Sequence, residues 1–240
     1  MTKSIRNKAW ICAAIVAVVL VVDQVVKIWV KTSFPLGGGI NMIGDWCRLY
    51  FVENEGIAFG LSFGDSYGKL ILTLFRLVAS VAIAYFLIKY IRKDSRYTLL
   101  VSITLILVGA IGNLVDSCFY GLIFNESTHE QVALLFPDGG GYGRFLYGRV
   151  VDMFYFPICE WVWPEWMPLV GGTQAEFFSA IFNVADVAVC VGVALFVVDQ
   201  LVVESRKKND SIETEKDVEK GDEEAPNCEK NDPVEVAEKA

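Results

Sequence analysis

Aspartate and asparagine residues recur at a fixed spacing in a chain that is otherwise strongly apolar. Asn113 and Asp116 are three residues apart, and Asn183 and Asp186 repeat that spacing. Residues three apart lie on one face of a helix, so each pair would present an amide beside a carboxyl group. Asp152 lies between the two pairs. Two of these carboxyl groups could therefore meet in one site.

Two carboxyl groups held close together can hydrolyse an amide bond. Like charges a few ångströms apart cannot both ionise, so the two groups share one proton. The ionised carboxylate accepts a proton from water, and the protonated carboxyl group polarises the carbonyl that the water attacks. This aspartic peptidase chemistry needs no metal or other cofactor. It suits a chain whose single histidine is His129.

Histidine and cysteine chemistry is limited in this sequence. One histidine excludes a His-rich zinc site and an HExxH helix, and a Ser-His-Asp triad would have to use His129, in the polar segment 125–130. The cysteines show no CxxC spacing and occupy positions 12, 47, 118, 159, 190 and 228. A Cys47–Cys159 or a Cys118–Cys159 disulfide remains open, because sequence alone does not decide the pairing.

Long apolar segments must position these polar residues. Hydrophobic residues make up 54% of the 240 residues, and a bilayer core of about 30 Å needs about 20 apolar residues in a helix. The expected fold is an all-α polytopic membrane protein with four transmembrane helices. We place these spans at residues 9–31, 69–91, 97–116 and 177–203.

Basic residues predict how the spans are oriented. Lysine and arginine cluster before the first span, between the second and third, and after the fourth. Because cytoplasmic loops carry the excess of basic residues, both termini are expected in the cytoplasm, with the long loops 32–68 and 117–176 outside. Residues 204–240 hold 13 of the 29 acidic residues, and this composition predicts a disordered acidic cytoplasmic tail.

The first outer loop has a β pattern between residues 41 and 64. Leu49–Val52 and Ile57–Phe63 are rich in β-prone residues, and Glu53-Asn-Glu-Gly56 between them is typical of a turn. We therefore expect a small β structure on the outer side of the membrane.

The polar residues of the spans all fall toward the outer side. Ionisable residues inside a membrane are costly and are functional candidates. Asp23 and Lys27 have the spacing of an intrahelical ion pair, so they are either a structural pair, with the lysine extending to the interface, or part of a site. Arg76 lies six or seven residues from the outer end of the second span.

Five motifs in this order resemble those of lipoprotein signal peptidase, also called signal peptidase II. They are Asp23-Gln-Val-Val-Lys27, Asn54-Glu-Gly-Ile-Ala-Phe-Gly60, Gly109-Ala-Ile-Gly-Asn-Leu-Val-Asp116, Gly148-Arg-Val-Val-Asp152 and Phe182-Asn-Val-Ala-Asp186. The resemblance implies an aspartic endopeptidase of the bacterial inner membrane. Its substrates would be prolipoproteins that carry a diacylglyceryl group, cleaved just before the lipidated cysteine.

The resemblance also implies roles for individual residues. It assigns catalysis to Asp152 and Asp186, within a peptidase domain of residues 1–203. The residues that would shape the site or hold the substrate are Asp23, Lys27, Asn54, Gly56, Asn113, Asp116 and Asn183. An outer β-sheet cradle, contacts with membrane lipids and inhibition by globomycin-like cyclic peptides are further implications. No basic stripe suggests a nucleic-acid partner.

The sequence departs from the family pattern in three respects. Ser117 stands where the family usually has arginine, and Arg149 or Arg144 could supply the missing charge. The links between Asp116, Asp152 and Asp186 are unusually long. The acidic tail is additional.

A small ion- or proton-coupled transporter is the alternative function, since intramembrane carboxylates also mark ion pathways. Such proteins place their charged groups near the midplane, whereas here they gather on one side.

Overall fold

The computed structural model describes residues 2–55, 67–177 and 179–223. Its helices are α1 (Lys3–Ser33), α2 (Tyr67–Arg92), α3 (Tyr97–Val115), a π-helix (Asp116–Tyr120), α4 (Gly121–Ile123) and α5 (Val184–Glu223). Its strands are β1 (Gly39–Ile43), β2 (Cys47–Asn54), β3 (Val150–Tyr155), β4 (Cys159–Val162), β5 (Gln174–Phe177) and β6 (Ile181–Phe182). Residues up to 197 form one compact unit, and a second unit begins at Val198.

Four helices within the described ranges are long and apolar enough to cross a membrane. They correspond to the four predicted spans, and α3 continues without a break through the π-helix into α4. Large apolar side chains on their outer faces are uncovered, as Val18 (63% exposed) and Val78 (67% exposed) illustrate. Apolar surface of this extent is unfavourable in water, so these faces suit a lipid environment.

The fourth span begins later than the sequence predicted. Phe177 ends β5, and Ile181 and Phe182 form β6 and pair with Tyr155 and Phe154 of β3, so these residues do not belong to α5. Helix α5 starts only at Val184. Asp186 is therefore in the first turn of the helix, whereas the predicted span of residues 177–203 would place it about nine residues after the start.

The segment after residue 203 also differs from the prediction. We expected disorder from residue 204, whereas α5 remains helical to Glu223. Extending an existing helix requires no new nucleus, and glutamate and lysine are good helix formers. Residues 224–240 lie outside the described residues.

A four-stranded antiparallel sheet has the order β1-β2-β3-β6, and β4 pairs with β5 in a separate hairpin. Leu49–Val52 lies in β2, as its composition predicted. Glu53 and Asn54 also belong to β2, where they pair with Val151 and Val150, so the turn expected there is wrong for these two residues. The predicted β run 57–63 lies outside the described residues.

The sheet packs on the C-terminal end of α1 and on the π-helix. Buried side chains at this junction come from α1, β2, the π-helix, the following loop and β3, namely Val30, Leu49, Phe51, Tyr120, Phe124, Ala133, Val151 and Met153. This core holds β3 against the helices. Cys47 and Cys118 are free thiols, so neither disulfide considered from the sequence is present.

Gly109 allows α5 to approach α3 closely. A Cβ atom at this position would lie 2.3 Å from the carbonyl oxygen of Ala185 and 2.6 Å from Cγ2 of Val189. Both distances are far below van der Waals contact, and one partner is backbone. The first turns of α5, which carry Asp186, therefore depend on the absence of a side chain here.

We expect Gly109→Ala to lower the free energy of unfolding by about 1–3 kcal/mol, because overpacking forces the helices apart. The matched control is Gly139→Ala, whose Cβ would meet nothing within 4 Å. Denaturation of both proteins in detergent measures the difference. Equal midpoints would contradict the close packing of α3 and α5.

Candidate active site

Asp152 is fixed by the pairing of β2 with β3. It lies opposite Val52 in the ladder, and Asn54 is two residues further along β2 on the same face. Asn54 Nδ2 donates to Asp152 Oδ2 at 3.0 Å. The neighbouring residues Val151 and Met153 point to the opposite face and enter the core. Strand alternation thus directs this carboxyl group, which is 4% exposed, away from the core and toward α5.

Asp186 and Asn183 form a reciprocal cap at the start of α5. The Asn183 side chain accepts from the Asp186 backbone N–H at 3.0 Å, and the Asn183 backbone N–H donates to Asp186 Oδ2 at 3.1 Å. This is a capping box, in which the residue before the helix and the third helical residue satisfy each other's N–H groups. The cap fixes the Asp186 carboxylate at the positive end of the helix.

Asn183 joins the two carboxyl groups. Its Nδ2 donates to Asp152 Oδ1 at 2.6 Å and to Asn113 Oδ1 at 3.2 Å. Asn113 Nδ2 in turn donates to Asp186 Oδ1 at 2.8 Å. The two asparagines therefore bridge Asp152 and Asp186, so the structure brings the predicted pair into one cluster.

Lys27 lies below this cluster and is fully buried. Its Nζ contacts Asp23 Oδ2 at 3.0 Å and Asp116 Oδ2 at 2.8 Å, and it donates to Asn113 Oδ1 at 2.9 Å. The predicted Asp23–Lys27 ion pair is thus present. The alternative in which the lysine extends to the interface is wrong, because the second carboxylate, that of Asp116 in the π-helix, holds the ammonium inside.

Backbone and amide donors satisfy the remaining oxygens of Asp23 and Asp116. Asp23 Oδ1 accepts from the Ala185 backbone N–H at 2.9 Å, and Asp116 Oδ2 accepts from that of Val151 at 3.3 Å. Gln24 donates to Asp116 Oδ1 at 2.9 Å. These bonds tie α1, α3, α5 and β3 together beneath the two carboxyl groups.

Burial raises the pKa of Asp152 to about 6. The amide donors of Asn54 and Asn183 act against this shift, because they stabilise the ionised form, and the charge of Asp186 acts in its favour. A carboxyl group that gains its proton near neutral pH can serve in acid–base catalysis.

An open pocket of about 380 Å³ lies beside Asp152. Its lining comes from the end of β2, β3 and the segment before α5, namely Val52, Glu53, Asn54, Glu55, Asp152, Ser179 and Ile181. A ligand in this pocket would meet the Asp152 carboxyl group and the end of β2.

Glu53, beside Asn54, is anchored by a second buried group of charges. It pairs with Lys31 and Arg149 and accepts from Ser127 at 2.7 Å. Burial alone would raise the pKa of Glu53, but these partners hold it below its ordinary value. This network positions the strand that carries Asn54, and no spacing in the sequence indicated it.

Arginine placement differs from the expectation. Arg149 contacts the carboxylates of Glu53, Glu55 and Glu126, so it does not supply a charge beside Ser117. Arg76 does: its Nη1 donates to Ser117 Oγ at 3.2 Å. Arg149 was a poor candidate because three glutamates already bind it. These glutamates are remote from Arg149 in sequence, so the motifs did not reveal them.

Of the nine predicted site residues, eight take part in the contacts described above. They are Asp23, Lys27, Asn54, Asn113, Asp116, Asp152, Asn183 and Asp186. Gly56 lies outside the described residues. His129 is exposed and contacts the Leu36 carbonyl oxygen.

A family model for signal peptidase (SPase) II matches residues 15–202. The matched region contains all five motifs and every residue of the cluster. The chain belongs to the signal peptidase II family. The family predicted from the motifs is confirmed, and so is the prediction of a peptidase, a hydrolase.

Curated relatives support this membership. The lipoprotein signal peptidase of Porphyromonas gingivalis is 48% identical over 189 residues, which cover 78% of this chain and 81% of that protein. The lipoprotein signal peptidase of Amoebophilus asiaticus is 36% identical over 201 residues, covering 81% and 79%.

A solved structure described as a bacterial membrane enzyme, obtained by the in meso method at 2.3 Å resolution, has the same fold. Its TM-score is 0.51 at 24% identity, and the match covers 82% of this chain and 90% of that chain. Together with the four apolar helices, the signal peptidase II relatives indicate a multi-pass bacterial membrane protein.

We expect Lys27→Met to lower the free energy of unfolding by about 3–5 kcal/mol, because it leaves the carboxylates of Asp23 and Asp116 buried without a cation. Chemical denaturation in detergent measures this loss. The control is Glu126→Gln, which removes a pair whose carboxylate is 52% exposed and should cost at most about 1 kcal/mol. Similar losses in the two variants would contradict the importance of the buried charges.

Proposed function

We propose that the chain is a membrane aspartic endopeptidase that removes signal peptides from diacylglyceryl-modified prolipoproteins. The observation that carries the catalytic assignment is the bridge of Asn113 and Asn183 between the carboxyl groups of Asp152 and Asp186. In this proposal those two aspartates are catalytic. Cleavage falls immediately before the lipidated cysteine.

The reaction follows from one shared proton. The ionised carboxylate removes a proton from a water molecule, whose oxygen attacks the carbonyl carbon of the scissile amide. The protonated carboxyl group gives its proton to the carbonyl oxygen. The tetrahedral intermediate then collapses and the C–N bond breaks. The leaving amine takes up one proton from the pair, and a hydroxyl of the intermediate returns one to it, which restores the shared proton.

The surrounding amide groups orient the two carboxyl groups and leave their shared proton free to move. Asn54, Asn113 and Asn183 each bond at least one oxygen of the two carboxyl groups. Because amides are neutral, they orient the aspartates and leave the shared proton to be exchanged between them. Lys27 offsets the charges of Asp23 and Asp116 beneath the pair.

The sheet and the pocket offer room for a substrate. In this proposal the β1-β2-β3-β6 sheet is an outer cradle, and the precursor occupies the pocket beside Asp152. The two curated relatives are named lipoprotein signal peptidase, which supports prolipoproteins as the substrate class. Globomycin-like cyclic peptides would compete for the same cleft.

The proposed location is the bacterial inner membrane, with both termini in the cytoplasm and the cleft toward the outer face. The distribution of lysine and arginine supports this orientation. The lipid chains of the precursor would then remain in the bilayer while its cleavage site enters the cleft.

The transporter alternative is not favoured. A coupled ion pathway needs charged groups that reach toward both sides or lie at the midplane. Here the carboxylates of Asp23, Asp116, Asp152 and Asp186 are joined in one cluster by amides and one lysine.

Conversion of either catalytic aspartate to asparagine should abolish cleavage while the protein still folds. We expect Asp152→Asn and Asp186→Asn to lower kcat by about 10²–10⁴-fold or more, since each loses a proton donor or acceptor. Cleavage of a diacylglyceryl-modified precursor, followed by mass spectrometry, measures this. Asp138→Asn, a change at an exposed loop residue, is the control. Full activity of either variant would refute the assignment.

The pH profile should have an acid limb near pH 6, because protonation of Asp152 below that value removes the ionised member of the pair. Asn54→Ala should move this limb to higher pH, since it removes a donor that stabilises the ionised form. Measurement of kcat/KM against pH tests both statements, with Asn41→Ala as the control because Asn41 bonds Asp45 instead. A limb that stays in place or moves to lower pH would count against this role of Asn54.

A further inference from the structure

Arg76 is a cationic residue in an apolar helix, and the chemistry above does not use it. It lies nine residues after the start of α2, about 13 Å along the helix at 1.5 Å per residue. An arginine at such a depth is costly and normally faces a partner or a polar cavity. The groups around Arg76 therefore indicate its function.

The guanidinium makes one hydrogen bond within the described part of the chain, the bond to Ser117 Oγ. Ser117 is itself fixed, because its hydroxyl donates to the Asn113 carbonyl oxygen at 2.9 Å in the π-helix. A guanidinium has five N–H donors. Arg76 is partly exposed, so its remaining N–H groups can reach a ligand.

Ser117 holds Arg76 near the aspartate cluster, because Ser117 directly follows Asp116 and its hydroxyl also donates to the Asn113 carbonyl oxygen. The carboxylates that act on its charge are those of Asp186, Asp116 and Asp152, in decreasing order. Each of these already has amide, ammonium or backbone donors. Arg76 therefore stands near the aspartate cluster with hydrogen-bond donors that none of the three carboxylates requires.

The adjacent turn of α2 is anchored at this place. Thr73, three residues earlier, donates to the Leu146 carbonyl oxygen at 3.2 Å, and the Leu146 N–H donates to the Cys118 carbonyl oxygen at 3.3 Å. These bonds hold α2 against the π-helix through the intervening loop. The position of Arg76 beside Ser117 is thus built into the packing of three segments.

We propose that Arg76 is a substrate-binding residue that donates hydrogen bonds to a carbonyl oxygen of the precursor beside Asp152 and Asp186, with Ser117 orienting its guanidinium. The inference rests on the proposed function and names a further residue of the same site. A neutral acceptor fits best, because the nearby carboxylates would repel an anion. The precursor has two kinds of carbonyl, those of its backbone and those of its diacylglyceryl esters.

The test measures binding separately from cleavage. A fluorescent lipidated precursor peptide is titrated onto the inactive Asp152→Asn protein and onto the same protein that also carries Arg76→Gln. We expect the Kd to rise about tenfold, the loss of one hydrogen bond to a charged group. Arg92→Gln, at the opposite end of α2, is the matched control and should leave the Kd unchanged.

Two further variants distinguish substrate binding from a structural role. Ser117→Ala keeps Arg76 but removes its orienting partner, and it should raise the Kd about threefold with an unchanged unfolding midpoint. Ser117→Arg in the Arg76→Gln protein should restore binding, because residue 117 can deliver a guanidinium to the same place. An unchanged Kd in Arg76→Gln, or an equal rise in Arg92→Gln, would overturn the proposal.

The same titration with an unlipidated peptide identifies the carbonyl. An equal effect of Arg76→Gln on both peptides assigns the bond to the peptide backbone, and an effect confined to the lipidated peptide assigns it to an ester. If the unmutated protein does not cleave the precursor, the proposed function fails, whereas the binding result still decides the role of Arg76.

Discussion

The hydrogen bonds of Asn183 connect the part of the chain that carries Asp152 with the part that carries Asp186. One residue caps α5, bonds the β3 carboxyl group and contacts Asn113 of α3. These bonds fix the helix start and the strand relative to each other, because a displacement of either would leave a buried amide unsatisfied, at a cost of about 1–3 kcal/mol. The geometry of the two carboxyl groups therefore follows from satisfying buried polar groups.

The buried charges next to Asn183 and Asn113 must also be balanced. Asp23 and Asp116 place two carboxylates around Lys27, and backbone N–H groups from α5 and β3 complete their hydrogen bonds. In a medium of low dielectric constant each of these groups would be costly alone. Together they join α1, α3, α5 and β3, so the same residues that stabilise the fold also support the cleft.

Sequence periodicity predicted the spans and the Asp23–Lys27 pair, because both depend on local helical geometry. The Asn183–Asp186 spacing indicated a shared face, but it also matches a capping box, and that pattern would have predicted the start of α5 correctly. The contact between Arg76 and Ser117 was not predictable, since it requires knowing that α3 changes to a π-helix and packs against α2. The partners of Arg149 likewise depend on loop positions that no short motif encodes.

The central claim is that Asp152 and Asp186 act on one substrate carbonyl. The most direct measurement is a crystal structure of the protein with a lipidated precursor peptide in which the scissile amide is replaced by a hydroxyethylene group. If Asp152 and Asp186 act together, the hydroxyl, which occupies the position of the attacking water, lies within hydrogen-bond distance of both carboxyl groups. A hydroxyl that contacts only one of them, or a peptide bound outside their cleft, would contradict it.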